Sequence, residues 1–413
     1  MRRARTAALL TGALILVLAA PPARASYEEF ATFRVGEQER DDENLLDHVL
    51  VRPPVEWRAL WAQGRPGFRS SQGCFTAGTW YLDHTLRIRA PMSDSTRFEL
   101  EIREVSDDES VYGWTSLDFR FPLPRAGLWG ARFRPTFDKS RQDVALLWDF
   151  GHGGSAVQVS AVMSVEDVFN NFWASRQTQV GDDYQPYERH PFEPSLAFAW
   201  RGPAHEVALS GKWLTPSIRR QETYNQVLLG REALWGAKTR ADLMRRVGPV
   251  RGELGFEQVQ ASSWAEFPGV AGDHHNFRRR WRLEGALFHE LGPRAEVGLR
   301  FFYQERDEVW RPPLADASIG VIDRMPMLEG AFDSGWGTRA RVGFMRNRVT
   351  VVQAGAVPTF TWGTRVETRV FLSLQRRFGR LLLLGTEGFE LDSERYDVAF
   401  IHDKGFIQLQ AEF

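Results

Sequence analysis

From Gly78 onward, apolar and polar residues alternate along the chain in one segment after another. In GTWYLDHTLRIRA, Trp80, Leu82, Leu86 and Ile88 share one face, while Thr79, Asp83, Thr85, Arg87 and Arg89 share the other. STRFELEIREV sets Phe98, Leu100 and Ile102 against Arg97, Glu99, Glu101 and Arg103, and GWTSLDFRF sets Leu117, Phe119 and Phe121 against Asp118 and Arg120. WRLEGALF holds Trp281, Leu283, Gly285 and Leu287 in phase, and WGTRARVGF does the same for Trp336, Thr338, Ala340, Val342 and Phe344. TRVETRVFLSL opposes Val366, Val370, Leu372 and Leu374 to Arg365, Glu367, Arg369 and Phe371. Successive side chains on a pleated strand point to opposite faces, so this pattern predicts an antiparallel all-β protein.

Short connections at 90–94, 122–127, 151–154, 201–203, 247–249, 291–293 and 376–379 punctuate the segments. Longer polar stretches at 166–193, 214–233, 262–276 and 306–318 read as loops. Short turns on one side and long loops on the other form the layout of an up-and-down barrel of about 16–18 strands. The alternation slips after residue 306, which implies a miscounted strand there or a missed one ahead of Gly78. Pro135, Pro326 and Pro358 are expected at strand ends, since a closed sheet has no free edge to hide a missing donor.

Residues 1–25 have another character. Arg2, Arg3 and Arg5 precede an apolar stretch from Ala7 to Ala20 and a small-residue site at Ala23-Arg24-Ala25. That is the build of a cleaved secretory signal, with an apolar core too short for a comfortable membrane span. Residues 26–77 hold the acidic cluster EQERDDENLLDHVLV and a break at Pro53-Pro54. Leu45, Leu46, Val49 and Leu50 form one stripe of a short helix capped by Asp41 or Asp42, and Trp57, Leu60 and Trp61 have the spacing of a second. This segment is expected to be a short, partly helical periplasmic extension or plug ahead of a barrel over 78–413. Beyond the signal no run of 18 apolar residues occurs, lone Cys74 excludes an internal disulfide framework, and a net charge of −1 gives no pull toward nucleic acid.

Alternation alone does not separate a soluble sandwich from a membrane barrel. The polar face supports the barrel: Arg87, Arg89, Arg97, Glu99, Glu101, Arg132, Arg134, Arg280, Arg282, Arg339, Arg341, Arg365, Glu367 and Arg369 would line a wide, wet interior. Trp80, Tyr81, Trp114, Trp129, Trp148, Trp200, Trp213, Trp235, Trp281, Trp336 and Trp362 sit near segment ends, where two aromatic girdles are expected at the headgroup levels. The last residues, DKGFIQLQAEF, put Ile407, Leu409, Ala411 and Phe413 on one face after Gly405. This resembles the terminal strand signal of Gram-negative outer-membrane β-barrels. The resemblance implies an outer-membrane address, lipid as solvent, and recognition of the end strand by the barrel-assembly machinery through main-chain pairing.

Candidate chemistry is sparse. DFGHGGSA satisfies a dinucleotide fingerprint formally through Gly151, Gly153 and Ala156, but the alternating SAVQVSAVMSV follows, so a hairpin turn is expected instead of a helix N-terminus. His152 and Ser155 lack an orienting third group, and adjacent His274 and His275 point apart on extended backbone. VEDVFNNFWAS has the spacing of a short amphipathic helix, either folded into the mouth or packed on the rim. No catalytic, metal or cofactor set is expected, and oligomeric state is left open. Two readings remain: a porin-like channel for small polar solutes or ions, and a closed scaffold barrel. An outer-membrane enzyme ranks behind both.

Overall fold

The computed structural model describes residues 67–74, 80–91, 96–107, 111–123, 126–134, 143–151, 156–165, 187–222, 228–269, 272, 274–311, 316–355, 364–391 and 402–412. The expected signal peptide, N-terminal helices, VEDVFNNFWAS helix, His152–Ser155 pair and terminal Phe413 lie outside these residues, as do Pro135, Pro358 and Trp362.

The described elements are all strands: β1 (Gly67–Cys74), β2 (Trp80–Pro91), β3 (Arg97–Asp107), β4 (Val111–Leu123), β5 (Gly127–Arg134), β6 (Asp143–Phe150), β7 (Val157–Val165), β8 (Tyr187–Arg189), β9 (Phe192–Arg201) and β10 (His205–Glu222). They continue as β11 (Leu228–Val247), β12 (Val250–Glu266), β13 (His274–Gly292), β14 (Ala295–Arg311), β15 (Ala317–Asp333), β16 (Thr338–Ala354), β17 (Arg365–Phe378), β18 (Leu381–Glu390) and β19 (His402–Glu412). All belong to one 19-stranded sheet with antiparallel neighbours. β1 pairs with both β2 and β19, which closes the ring. The three-residue β8 pairs only with β10, ahead of β9 on the same edge, so 19 strands less one leaves 18 around the circumference. With strands about 4.8 Å apart and tilted near 40°, such a ring is about 35 Å across its backbone.

The missed strand is β1. Its sequence, GFRSSQGC, carries little alternation, and the barrel already includes Gly67–Cys74, ahead of the expected boundary of 78. With β1 in place the alternation of connections no longer slips. The ends of β2, β4, β6, β9, β11, β13, β15 and β17 turn at one rim, where β1 also begins and β19 ends. That short-turn rim is the periplasmic one in barrels of this class. Gly248, at φ 56°, leads the two-residue turn with Pro249, and Gly379, at φ 60°, leads the turn with Arg380. Tight hairpins of this kind favour Gly at the first central position. Gly151, at φ 75°, opens the β6–β7 turn, so its glycine stretch joins two strands as the alternation expects.

Three of the expected loops are largely strand. Residues 214–222 and 228–233 complete β10 and β11, 262–266 and 274–276 extend β12 and β13, and 306–311 end β14. β10 to β16 therefore run 17–20 residues, whereas β1 to β9 run 3–13. Crossing the hydrocarbon layer needs only about 9–11 tilted residues. One arc of the wall, β10 to β16, is therefore tall enough to rise past the bilayer, while the described strands of the other arc are shorter.

Pro326 is another correction. It sits inside β15, not at an end, and the β15–β16 ladder stops at Arg324↔Arg348 and resumes at Met327↔Met345. A residue without an N–H removes a rung, and the long strands on either side hold the gap. Pro216 sits where β10 bulges between Leu214 and Ser217. Trp336, expected within a strand, instead stands in the β15–β16 turn and is 84% exposed.

Outward-facing Leu146, Met163, Leu254, Leu287, Leu299, Leu328, Phe332, Val342, Phe344 and Leu374 are exposed and form an apolar belt. Near the short-turn rim Trp129 packs on Trp148, whose indole N–H donates to the Ala126 carbonyl at 2.7 Å, and Trp200 stacks on His205. On the loop side Trp281 stacks on Tyr303 at 4.7 Å. Amphipathic rings at both edges of the belt match the two headgroup levels.

Candidate functional site

The inward face of the ring is charged. On the tall arc, register places Glu253, Glu284, Glu296 and Glu329 among Arg251, Arg300, Arg339 and Arg341. They join in one chain: Arg339 to Glu296 at 2.5 Å, Glu296 to Arg251 at 3.2 Å, Arg251 to Glu253 at 3.0 Å, and Glu253 to Arg300 at 3.4 Å. Arg300 also meets Glu284 and, at 3.4 Å, Glu329, which in turn holds Arg341. Four cations and four anions cancel. Three of these contacts bridge over an intervening strand, two over β13 and one over β15, which puts the residues on the concave side of the sheet.

Aromatic rings fix the same guanidinium groups from the other side. Phe288 lies 4.5 Å from Arg251 and 5.1 Å from Arg300, and Phe371 lies 4.9 Å from Arg341. Each ring leans over a glycine opposite it in register: Phe288 over Gly298, and Phe371 over Gly343. A Cβ at Gly298 would fall 2.3 Å from Phe288 Cδ1, and one at Gly343 would fall 2.0 Å from Phe371 Cε1. Glycine here makes space for a flat ring, and the ring supplies a cation–π surface.

A second tier follows toward the loop side. Arg240 binds Asp242 at 2.7 Å, Arg280 reaches Glu257 at 3.2 Å, and Arg282 donates to the Gln304 carbonyl oxygen at 2.8 Å. Arg306 and Asn347 both donate to Asp323, at 3.2 Å and 3.0 Å. Glu367 and Arg369 are buried on the same face, and Arg365 begins β17 in the same register.

The low arc carries its own pairs. Arg87 meets Glu101 and, at 3.4 Å, Glu99, while Arg89 binds Glu99 at 2.6 Å. Arg132 clasps Asp118 at 2.7 Å, and Arg120 joins Asp118 to Asp149. Arg97 and Arg134 stand at opposite ends of β3 and β5 on this face, Arg97 exposed. The expected charged positions whose side chains are described share the inward face, and seven of the arginines, Arg87, Arg89, Arg132, Arg280, Arg282, Arg339 and Arg341, meet carboxylates there. What separates them is water. The Arg89 side chain is 39% exposed and Arg339 32%, whereas Arg306 retains 2%.

Sequence reasoning missed Arg251, Glu253, Glu296, Arg300, Asp323 and Glu329. Alternation in VRGELGFE and AEVGLRFF would have found the first four. IDRMPMLEG hides the others, because β15 is apolar on both faces, with Met325 and Met327 inward and Leu328 outward. Inward apolar clusters occur also: Phe302, Met325, Met327, Met345 and Phe371; Leu214, Leu234, Val259 and Ala261; and Ile319, Val321 and Val349. His274 and His275 begin β13, and the described residues contain no group of three or more metal-ligating side chains.

No family profile and no curated protein matches the chain. Solved structures of similar fold include outer-membrane expressed OmpT of Vibrio cholerae, with 9% identity and a TM-score of 0.40 over 84% of this chain and 97% of that one. OccK11 of Pseudomonas aeruginosa gives 11% and 0.38 over 84% and 95%, and a porin gives 13% and 0.33 over 84% and 100%. Lipid admits backbone only as helices or as sheets without an edge. A ring closed by β1 on β19, with its apolar side outermost, satisfies that condition, and the fold is a closed antiparallel β-barrel of the kind that spans a membrane.

Proposed function

We propose that the barrel is a porin-like channel for passive diffusion of small polar solutes or ions, with no catalytic role. The observation that carries this reading is the charged inward face of a closed 18-strand ring, on which Arg89 and Arg339 keep water contact at the short-turn mouth. Rings of 16–18 strands leave room for an aqueous path. Charges on such a wall set the field that a permeating ion meets. Envelope lipid and the barrel-assembly machinery are the expected partners, the latter through β19, which bears Gly405, Ile407, Leu409 and Ala411.

Folded protein inserted into a planar lipid bilayer is expected to give discrete conductance steps; a silent membrane after confirmed insertion removes the channel. Arg89→Glu combined with Arg339→Glu is expected to shift the reversal potential toward cations, because both side chains meet water at the short-turn mouth. An unchanged potential in a conducting variant takes both residues off the path. Arg341, grouped with Arg339 on sequence grounds, is a weaker choice because it is buried against Glu329 and Phe371.

A closed scaffold barrel is favoured by one observation. Met325 is 0% exposed and Phe371 1%, although both face inward. Silent bilayers with intact barrels would support that reading.

A further inference from the structure

On the outer surface, β15 and β16 change character at one height. Toward the short-turn rim their outward residues are apolar and exposed: Phe332 and Leu328 on β15, Val342 and Phe344 on β16. Next come Arg324, Arg346 and Arg348, all exposed. They lie roughly 8–10 residues from the turn at 334–337, which at about 3.3 Å per residue and a tilt near 40° is about 20–25 Å. An outer-membrane barrel's apolar band has about that height. The three cations therefore stand at the headgroup level of the leaflet on the loop side.

Arg324 lies directly opposite Arg348, an arrangement in which like charges repel. In the wall Tyr303 meets Arg324 through its ring and its hydroxyl, but it brings no countercharge to the pair. Among the described residues no carboxylate meets Arg346 or Arg348, and Arg324 lies over the Tyr303 ring at 5.9 Å. The nearest outward acids are engaged elsewhere: Asp307 and Glu305 with Arg279 at 2.6 Å and 3.6 Å, and Glu305 also with the Tyr303 hydroxyl at 3.1 Å. Beside the cluster, the missing rung at Pro326 leaves the ladder open between Arg324 and Met327.

We propose that Arg324, Arg346 and Arg348 bind the phosphate of an anionic lipid headgroup in that leaflet. Guanidinium groups present paired N–H donors that match phosphate oxygens two at a time, and one phosphate between Arg324 and Arg348 would turn their repulsion into attraction. A basic cluster at a membrane surface gains about 1 kcal/mol per cation from anionic lipid. The site is independent of whether the lumen conducts.

The test uses the purified barrel in a non-ionic detergent with diphosphoryl lipid A or its dephosphorylated form, and counts bound lipid by native mass spectrometry. Wild-type protein is expected to retain the phosphorylated lipid at a concentration on the order of tenfold lower than the dephosphorylated one. The R324Q/R346Q/R348Q variant, its folding confirmed by heat-shifted gel migration, is expected to lose that preference. Equal retention of both lipids by the wild type overturns the site, whatever the variant does. A folded variant that keeps the preference overturns the assignment to these residues. Competition by inorganic pyrophosphate at the same concentration would make it a small-anion site and remove the lipid.

Discussion

Arg300→Met is expected to destabilise the barrel by about 3–5 kcal/mol, because it leaves buried carboxylates without their common cation. Arg300 is the branch point of the inner network: Glu253, Glu284 and Glu329 all reach it, and its guanidinium lies over Phe288. Methionine fills a similar volume and restores none of the charge. Glu253 keeps Arg251 and Glu329 keeps Arg341, while Glu284 loses the guanidinium that it meets most closely. Urea unfolding in detergent micelles, followed by tryptophan fluorescence, measures it. A loss below about 1 kcal/mol would place these groups in solvated surroundings, since exposed pairs contribute only that much.

The second large effect comes from a single methyl group. Gly343→Ala places a Cβ where the Phe371 ring now lies, 2.0 Å from Cε1 and 2.6 Å from Cζ. The ring must leave, and with it goes the surface 4.9 Å from the Arg341 guanidinium. Overpacking of this kind costs about 1–3 kcal/mol. Phe371→Leu in the same chain removes the clashing ring edge, so the double variant is expected to be more stable than the sum of the two single losses. Strictly additive losses in the same unfolding assay would show that ring and glycine do not share the space.

The sequence disclosed the barrel through strands that are greasy on one face and charged on the other, such as Phe98 to Arg103 and Leu117 to Phe121. It failed where both faces have the same character. Residues 306–311 read as part of a loop because Asp307 faces water outside while Arg306 and Glu308 face inward at the same height. Strands that climb beyond the bilayer lose the contrast that lipid imposes, and their length goes unread. β1 went unread for want of apolar residues. The inward charges were legible as a face, but their partners were not. That Arg300 meets both Glu253 and Glu329 depends on the register of β12 to β15, and no local pattern encodes it.

The unequal wall also has a mechanical consequence. Adjacent strands on the high side share long ladders, with β10, β11 and β13 running 18, 20 and 19 residues, while β1, β5 and β6 run 8 each. Resistance to bending scales with the number of rungs between neighbours, so among the described residues the flank of β10 to β16 is expected to be the stiffer one. Thermal breathing of the cross-section is expected to concentrate where described neighbours share the fewest rungs, on the flank that carries Arg89 at its mouth.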